Sequence, residues 1–353
     1  MLTLDGSQGE GGGQILRTAL SLAVVLRRPV RLSRIRARRP RPGLQPQHLA
    51  VVRALAEISR AEVIGDALDS TELHFTPREL RGGEYRFDVA AIKGSAGSVS
   101  LVFQSLLLPL AFAPAPSRLT LCGGTHVPWS PPVHYVTEVF LPILRRAGVQ
   151  ASLTLKRWGW YPAGGGEIEA EITPTSAIRG LVRELREKPA VISGISAVSR
   201  LPRSIAERQR TRALERLAAR DLTADITISE DHEARNPGTL LFLATDGGGA
   251  SALGRRGLRA ETVADLAVDP LLAYLDSGAT VDGHLADQLL PFLALAREPS
   301  TFTCPTLSSH LTTVAWVVQQ FLPVDIGLIS GPPRASVRVL PKEPGQGRCS
   351  LPT

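Results

Sequence analysis

Glycines surround a single carboxylate near the start of the chain. Residues 5–17 read DGSQGEGGGQILR, so Glu10 stands between Gly9 and Gly11. Glycine lets backbone N–H groups approach a phosphate closely, and the start of a helix favours an anion. Glu10 there could hold a divalent metal ion that bridges phosphates. The segment lacks the lysine of a P-loop and the glycine spacing of a dinucleotide-binding loop, so a phosphate-binding loop and a plain glycine-rich hairpin both stay open.

Arginine dominates the segment that follows the first predicted helix. Residues 27–41 contain eight arginines and no acidic residue. Apolar residues at Val30, Leu32, Ile35 and Ala37 predict a strand whose other face is basic. Such a face suits a nucleic-acid backbone, and a solvated basic edge is the alternative.

A histidine stands near the start of the last predicted helix, in the sequence SSHLTT at 308–313. The helix dipole opposes a cation at this end, so His310 should stay neutral more readily than a free histidine. A neutral imidazole is a competent nucleophile. A capping or packing role for His310 is the alternative.

Two polar residues interrupt an apolar helix predicted over 284–296. Asp287 and Gln288 form either a hydrogen-bonding edge for a nucleobase or ordinary helix polarity. The glycine- and proline-rich segments 123–132 and 161–166 read as turns. The motifs of a serine-hydrolase elbow, a zinc protease and an EF-hand are absent from the sequence.

Each of three predicted apolar helices is followed along the chain by a short strand and then by a second helix. The first helices are predicted over 13–26, 98–112 and 284–296. Strands follow over 30–35, 118–122 and 300–304, and second helices over 47–59, 133–147 and 310–321. Strand pairs then follow at 61–64 with 73–76, 150–155 with 166–172, and 324–329 with 335–339. The sequence predicts an α+β fold of three repeated βαβαββ units, with helices on one face of each sheet.

The spacing of these units predicts an insertion. His48, His134 and His310 begin the second helices at intervals of 86 and 176 residues. The longer interval contains a charged helix predicted over 178–187 and strands and helices up to residue 273. We therefore predict a large domain over 1–179 and 277–340, a smaller inserted α+β domain over 180–276, and a disordered tail over 341–353.

Composition limits the class of protein. The chain has 353 residues, 43% of them hydrophobic, and a net charge of +7. These values exclude a wholly disordered chain and weakly favour a polyanionic partner. The three cysteines are far apart, which argues against a disulfide framework or a cysteine–zinc site. With neither a signal peptide nor an apolar run of about 20 residues, the sequence predicts a soluble cytoplasmic protein without a membrane partner.

Together these segments resemble the RNA 3'-terminal phosphate cyclase family, in the family's order and over nearly the whole chain. The matching segments are DGSQGEGGGQILR at 5–17, IRARRPRPGLQPQHL at 35–49, KGSAGSVSLVFQSLLLP at 93–109, GGTHVPWSPP at 123–132, GWYPAGGGEIEAEI at 159–172, HLADQLLP at 284–291 and SSHLTT at 308–313. Three βαβαββ units with one smaller inserted domain are also what the resemblance implies for the fold.

The resemblance implies an ATP-dependent reaction on RNA. A 3'-terminal phosphate becomes a 2',3'-cyclic phosphodiester, and AMP and pyrophosphate are released. The family's nucleophilic histidine matches His310, which would carry AMP as a phosphoramidate before AMP passes to the RNA. A divalent metal ion, Mg²⁺ or Mn²⁺, is implied as a cofactor, the partner is RNA with a 3'-phosphate end, and a homodimer is left open.

The resemblance also assigns the remaining site residues by motif. Glu10 matches the metal-contacting glutamate. Residues matching the RNA-end and phosphate pocket are Gln14, Arg17, Arg39 and Gln47. Residues matching the nucleotide pocket are Gln104, Pro131, His284, Asp287 and Gln288. Two positions depart from the family pattern: His284 stands where the family often has tyrosine, and Val314 where it often has asparagine.

Two other functions are compatible with parts of this pattern. A non-catalytic RNA- or ribosome-binding relative would bind RNA through the arginine-rich segment without nucleotide turnover, but the presence of His310 and Glu10 argues against it. An enolpyruvyl transferase also uses βαβαββ units, but it needs no nucleophilic histidine. The sequence therefore favours the catalytic cyclase.

Overall fold

The helices that the apolar periodicity predicts are present in the computed structural model, which describes residues 1–91, 96–186 and 192–341. The α-helices are α1 (Gly13–Val25), α2 (Pro46–Ser59), α3 (Val99–Leu110), α4 (Val133–Tyr135), α5 (Leu141–Arg146), α6 (Arg203–Ala218), α7 (Ala260–Ser277), α8 (Gly283–Leu293) and α9 (Ser309–Phe321). A 3₁₀ turn covers Val89–Ala91, and a π-helical turn over Val136–Phe140 joins α4 to α5. The helix predicted over 133–147 is thus present, and it contains a π-helical turn just before Pro142, which lacks a backbone donor and lies in the first turn of α5.

The strands alternate buried and exposed side chains, as strands packed on one face do. They are β1 (Leu2–Asp5), β2 (Val30–Ser33), β3 (Glu62–Ile64), β4 (Leu73–Thr76), β5 (Glu84–Asp88), β6 (Ser117–Gly123), β7 (Gln150–Arg157), β8 (Gly166–Thr173), β9 (Val182–Arg183), β10 (Ile192–Ser199), β11 (Ala224–Asp231), β12 (Gly238–Thr245), β13 (Gly248–Leu253), β14 (Ser300–Cys304), β15 (Val324–Ile329) and β16 (Ala335–Pro341).

Four mixed sheets of four strands each make up the β-structure of the described residues. Their strand orders are β1-β2-β4-β3, β5-β6-β8-β7, β9-β14-β16-β15 and β11-β10-β12-β13. In each of the four, one parallel pair is followed by two antiparallel pairs. When the strands of each sheet are counted along the chain, the spatial order is first-second-fourth-third in the first three sheets and second-first-third-fourth in the last. The protein is therefore a mixed α and β fold, and three of its sheets share one strand order.

The helices pack on one another as well as on the sheets. Helix α1 contacts α2, α3 and α9, and α8 contacts α9. Leu20, Leu106, Leu289 and Val317 are completely buried where these helices meet. Their apolar stripes bring the beginnings of α1, α8 and α9 together, which positions the side chains of the candidate site.

A second, smaller apolar cluster supports the sheet β11-β10-β12-β13. Ile226 and Leu241 on this sheet pack against Val268 and Leu271 of α7. Helix α6 lies against the same sheet and against α7. These elements fall within the range 180–276 that the sequence assigns to an inserted domain, and those domain limits stay a prediction.

The charged helix predicted over 178–187 is wrong for the residues described there. Val182 and Arg183 form β9, which pairs in parallel with Thr301 and Phe302 of β14. The backbone of Leu181 also bonds this edge, because its carbonyl accepts from the Thr301 N–H at 2.9 Å. This pairing joins strands that are more than a hundred residues apart, and it outweighs the local charge pattern that predicts a helix. Such pairing is a property of the tertiary structure.

Other differences concern the ends of elements and short strands. The sequence pattern locates no strand at the positions of β1, β5 and β13. Each of these strands completes one of the four-stranded sheets. The tail predicted over 341–353 lies outside the described residues except for Pro341, which ends β16. None of the helices in the described part of the chain combines the length and apolar character that a membrane span requires.

Candidate active site

A cavity of about 530 Å³ lies where α1, α3, α8 and α9 meet the loop between β6 and α4. This volume is within the range of small-molecule sites. Eight of the eleven residues predicted from the sequence line it: Gln14, Arg17, Gln104, Pro131, His284, Asp287, Gln288 and His310. The structure thus brings together side chains that are almost 300 residues apart in the chain.

His310 occupies the first turn of α9. Ser308 caps this helix, because its hydroxyl accepts the Leu311 N–H at 3.0 Å. The His310 side chain is 45% exposed, so its imidazole is open to the cavity while its backbone is held in the helix. The sequence prediction of a histidine at a helix start is confirmed.

The surroundings of His310 favour its neutral form. Burial lowers the pKa of His310 below its ordinary value of 6.5, and the positive charges of Arg17 and Arg39 lower it further. The Glu10 carboxylate opposes this shift, since its Oε2 lies 3.6 Å from the imidazole Nε2. The lowered pKa therefore favours the neutral imidazole, which is the form that nucleophilic attack requires.

The glycine-rich loop is held against α9. Gly9 has a φ of +53°, and a Cβ there would collide with the Thr313 hydroxyl. That hydroxyl accepts the Glu10 N–H at 3.1 Å and donates to the Ser309 carbonyl at 2.6 Å. Glycine is needed at position 9 because the loop backbone lies so close to Thr313. The contact between this loop and α9 places Glu10 beside His310.

The carboxylate of Glu10 is placed to receive a cation. Its side chain is only 5% exposed, and its Oε1 has no hydrogen-bond partner. Its Oε2 pairs with Arg39. Within residues 1–91, 96–186 and 192–341, no three His, Cys, Asp or Glu side chains are grouped as a protein metal cage would need. The donor set therefore fits Mg²⁺ or Mn²⁺ held by one carboxylate together with substrate phosphates and water.

Arg17 and Gln14 project from the first turns of α1 into the cavity. There the Arg17 guanidinium donates to the side-chain Oε1 of Gln14. His48, which served in the sequence only to mark a repeat, lies against Gly13 at the start of this helix. Burial lowers the pKa of His48 to about 3, and Arg17, Arg36 and Arg39 lower it in the same direction. The cationic surroundings favour an anion at this end of the cavity.

The opposite end of the cavity is built on α8. Gln104 of α3 donates to the Gln288 Oε1 at 2.7 Å, which joins the two helices across the cavity. Burial, together with the negative charge of the neighbouring Asp282, raises the pKa of Asp287 to about 8. Asp287 is thus mostly protonated at pH 7 and can donate a hydrogen bond as well as accept one.

Glu10, Arg39 and Gln47 are the three predicted site residues that do not line the cavity. Arg39 pairs with Glu10, and the Gln47 Oε1 accepts the Ser98 N–H at 2.9 Å, so both lie just behind the cavity wall. The expected basic strand ends at Ser33, and the arginines beyond it lie in turns over the glycine-rich loop. There Arg34 pairs with Asp5, and Arg38 donates to the Gly9 carbonyl at 3.0 Å.

Tyr135 and Trp129 are among the residues lining the cavity that were not predicted from the sequence. The Tyr135 hydroxyl donates to Asp282, 2.8 Å from its Oδ2. Trp129 lies at the cavity border with its side chain in solvent. Segment 123–132 was interpreted from the sequence as a turn and as a segment that resembles the family, but Trp129 was given no role.

The chain is similar to known proteins over most of its length. A family model described as RNA 3'-terminal phosphate cyclase matches residues 8–328. A protein named RNA 3'-terminal phosphate cyclase from Gloeothece citriformis is 45% identical over 330 residues, 91% of this chain and 93% of the relative. A protein of the same name from Methylococcus capsulatus is 46% identical over 329 residues, 91% of each chain.

Among solved structures, the enolpyruvyl transferase NikO from Streptomyces tendae aligns with a TM-score of 0.27 at 16% identity, over 61% of this chain and 38% of that one. A likeness this low carries no argument about fold or function.

Proposed function

The chain belongs to the RNA 3'-terminal phosphate cyclase family, and from that premise we propose that it converts RNA 3'-phosphate ends to 2',3'-cyclic phosphodiesters with ATP. The observation that carries this proposal is the half-exposed, neutral His310, which opens into the cavity next to Glu10. A nucleophile beside a carboxylate and several arginines is the arrangement that phosphoryl transfer requires.

The first step of the proposed reaction uses the lone pair of the His310 Nε2. This nitrogen attacks the α-phosphorus of ATP, an N–P bond forms, and the P–O bond to pyrophosphate breaks. AMP then passes to a 3'-phosphate oxygen of the RNA, which restores the neutral imidazole. In the last step the adjacent 2'-hydroxyl attacks the 3'-phosphorus and loses its proton to solvent, while the P–O bond to AMP breaks and AMP leaves. This step is intramolecular, so holding the RNA end still supplies much of its rate.

Glu10 is the residue that would hold the divalent metal ion. Mg²⁺ or Mn²⁺ there would neutralise charge on the phosphates. The unpartnered Oε1 supports this role, because a buried carboxylate oxygen without a donor favours a cation.

The two ends of the cavity suit different parts of the substrates. We assign the nucleotide to Gln104, Pro131, His284, Asp287 and Gln288, where amides and a protonated carboxyl can match the donors and acceptors of a base. We assign the phosphates and the RNA end to the cationic end, formed by Gln14 and Arg17 with Arg39 and Gln47 behind them.

The finer description of the fold is also a proposal. The strand order that three sheets share supports three copies of one βαβαββ unit, and the different order of the sheet β11-β10-β12-β13 supports its place in an insertion. A cytoplasmic location and a homodimer stay predictions of the sequence.

The test of the proposed function is covalent labelling of the protein. Incubation with ATP labelled at the α-phosphate and Mg²⁺ or Mn²⁺, without RNA, should leave acid-labile, base-stable label on the denatured wild-type chain. His310→Ala should abolish the label, whereas His232→Ala, which removes an exposed histidine outside the cavity, should keep it. A wild-type chain without label under either metal would contradict the proposal and favour a non-catalytic RNA-binding protein.

The same assay tests Glu10. The Glu10→Gln variant keeps the shape of the side chain and removes the charge that would hold the metal ion. We expect its labelling to require a higher Mg²⁺ concentration than the wild-type chain. Labelling with the same Mg²⁺ dependence would rule out a metal-binding role for Glu10.

A further inference from the structure

Trp129 exposes nearly its whole side chain at the border of the candidate active site. Its exposed fraction is 97%, whereas Trp160 is buried. Tryptophan buries most of its apolar surface in the average protein, because contact of that surface with water is unfavourable. A fully exposed indole next to a substrate cavity is therefore a candidate contact for a ligand.

The loop that carries Trp129 is anchored on both sides. Val127 and Val133 are buried before and after it. The Ser130 hydroxyl donates to the Val127 carbonyl at 3.1 Å, and the His126 N–H donates to the Gly159 carbonyl at 3.0 Å. The tryptophan itself adopts a φ of +58°, which is unfavourable for a large side chain. The fold thus holds the indole outward on a fixed loop.

RNA, the second substrate of the proposed reaction, has to enter the cavity through its opening to solvent. A cavity of about 530 Å³ accommodates one nucleotide, and the proposed function places ATP there. An RNA 3'-phosphate must then reach His310 through the opening, which brings its terminal nucleotide close to the residues at the cavity border, Trp129 among them. Indole rings bind bases by stacking, without preference for sequence.

We propose that Trp129 stacks on the base of the 3'-terminal nucleotide of the RNA and so holds the RNA end at the cavity. This inference rests on the proposed cyclase function. It assigns Trp129 to RNA rather than to the adenine of ATP, because the adenine has its own apolar surroundings inside the cavity, including Phe140 and Phe292.

The experiment compares Trp129→Ala and Trp129→Phe with the wild-type chain. The substrates are two single-stranded RNA 3'-phosphates that differ only in the last nucleotide, which has its base in one and is abasic in the other. Ile329→Ala is the matched control, because Ile329 is exposed but does not border the cavity. The measured quantities are KM and kcat for RNA, and KM for ATP in the labelling reaction.

We expect Trp129→Ala to raise the KM for the RNA with a terminal base by about tenfold. Trp129→Phe should restore most of the affinity, kcat should change little, and the KM for ATP should stay the same. With the abasic RNA the wild-type chain and Trp129→Ala should have equal KM values. An unchanged RNA KM, a raised ATP KM, or an equal loss with both RNAs would each overturn the proposal.

A binding measurement separates this inference from the proposed function. Fluorescence anisotropy with the same two labelled RNAs, without ATP, requires no turnover. If the wild-type chain does not cyclise RNA but Trp129→Ala loses affinity only for the RNA with a terminal base, the stacking role stands and the proposed function fails. If the wild-type chain cyclises RNA and the two chains bind both RNAs equally, the stacking role fails alone. Absence of RNA binding by the wild-type chain would overturn both.

Discussion

At the scale of single residues, burial decides the charge of the groups in the cavity. The His310 imidazole loses protons more easily than in water because it is partly desolvated among arginines. The Asp287 carboxyl holds its proton, since it is buried beside another acid. A base and an acid with pKa values displaced in opposite directions mark a functional site. The residue types were visible in the sequence, but their desolvation was not.

Asp287 leads to a prediction about stability and pH. Its pKa is about 8 in the folded chain and 3.8 by its ordinary value, so between these pH values the folded state binds more protons than the unfolded state. The free energy of unfolding therefore falls as pH rises through this range, by at most about 1.4 kcal/mol per pH unit from this group. Asp287→Asn should remove this contribution and gain stability relative to the wild-type chain as pH rises from 4 to 8.

Urea denaturation at several pH values measures this difference. Asp325→Asn, which removes one exposed carboxylate, serves as the control for the change in net charge. Parallel curves of stability against pH for Asp287→Asn and the wild-type chain would show that Asp287 does not hold a proton in the folded state.

At the scale of elements, the site depends on how a loop meets a helix start. The cap of α9 by Ser308 fixes the first turn, and Thr313 on the next turn binds the glycine-rich loop. The sequence predicted both the loop and the helix, because glycine clustering and apolar periodicity are local signals. It did not predict that Gly9 and Thr313 touch, since this contact spans about 300 residues of the chain.

Gly9→Ala should therefore damage the site more than the fold. The new Cβ would collide with the Thr313 hydroxyl, so the loop must shift and move Glu10 away from His310. We expect the rate of His310 labelling to fall by at least about tenfold, because small displacements of reacting groups are costly.

Gly257→Ala is the matched control, since Gly257 has a φ of +81° and no atom within 4 Å of an added Cβ. Gly257→Ala should lower the free energy of unfolding by about 1 kcal/mol, because alanine is unfavourable in the left-handed backbone region. It should keep the labelling rate of the wild-type chain. Equal labelling rates for the two variants would show that the contact between loop and helix is not needed.

At the scale of the whole molecule, one buried carboxylate connects the sheet β11-β10-β12-β13 to the helices of the site. Asp282 caps α8 by accepting the His284 N–H at 2.7 Å and the Leu285 N–H at 2.9 Å. It also accepts the Gly249 N–H of β13 at 3.0 Å and the hydroxyl of Tyr135. The side chain thus holds the borders of the cavity together.

Removal of this carboxylate should destabilise the chain strongly. Asp282→Ala leaves several buried donors without an acceptor, each costing about 1–3 kcal/mol, so we expect a loss of at least about 3 kcal/mol. Tyr135→Phe removes only one donor and should cost about 1 kcal/mol. Asp282→Asn, which keeps the acceptor oxygen, should lie between the two. Urea denaturation measures all three, and a loss for Asp282→Ala no larger than that for Tyr135→Phe would contradict the connecting role.

Predictability differs between the helices and the segments around them. The apolar helices and the later strands lie close to their predicted positions, because local periodicity determines which face is buried. The helix predicted over 178–187 is wrong, since β9 is stabilised by its pairing with β14 and not by its own composition. The basic strand ends early for a similar reason, as Arg34 and Arg39 turn back to pair with Asp5 and Glu10.

The sequence by itself determined the family, the positions of the apolar helices and the residue types of the site, because motifs and periodicity are properties of neighbouring residues. Only the tertiary structure decided which of these residues meet in one cavity, which of them lie behind its wall, and how burial sets the protonation of His310 and Asp287. It alone showed that Trp129 stands in solvent at the opening. Exposure and desolvation depend on every element packed around a side chain, and contacts of that kind leave no local signal in the chain.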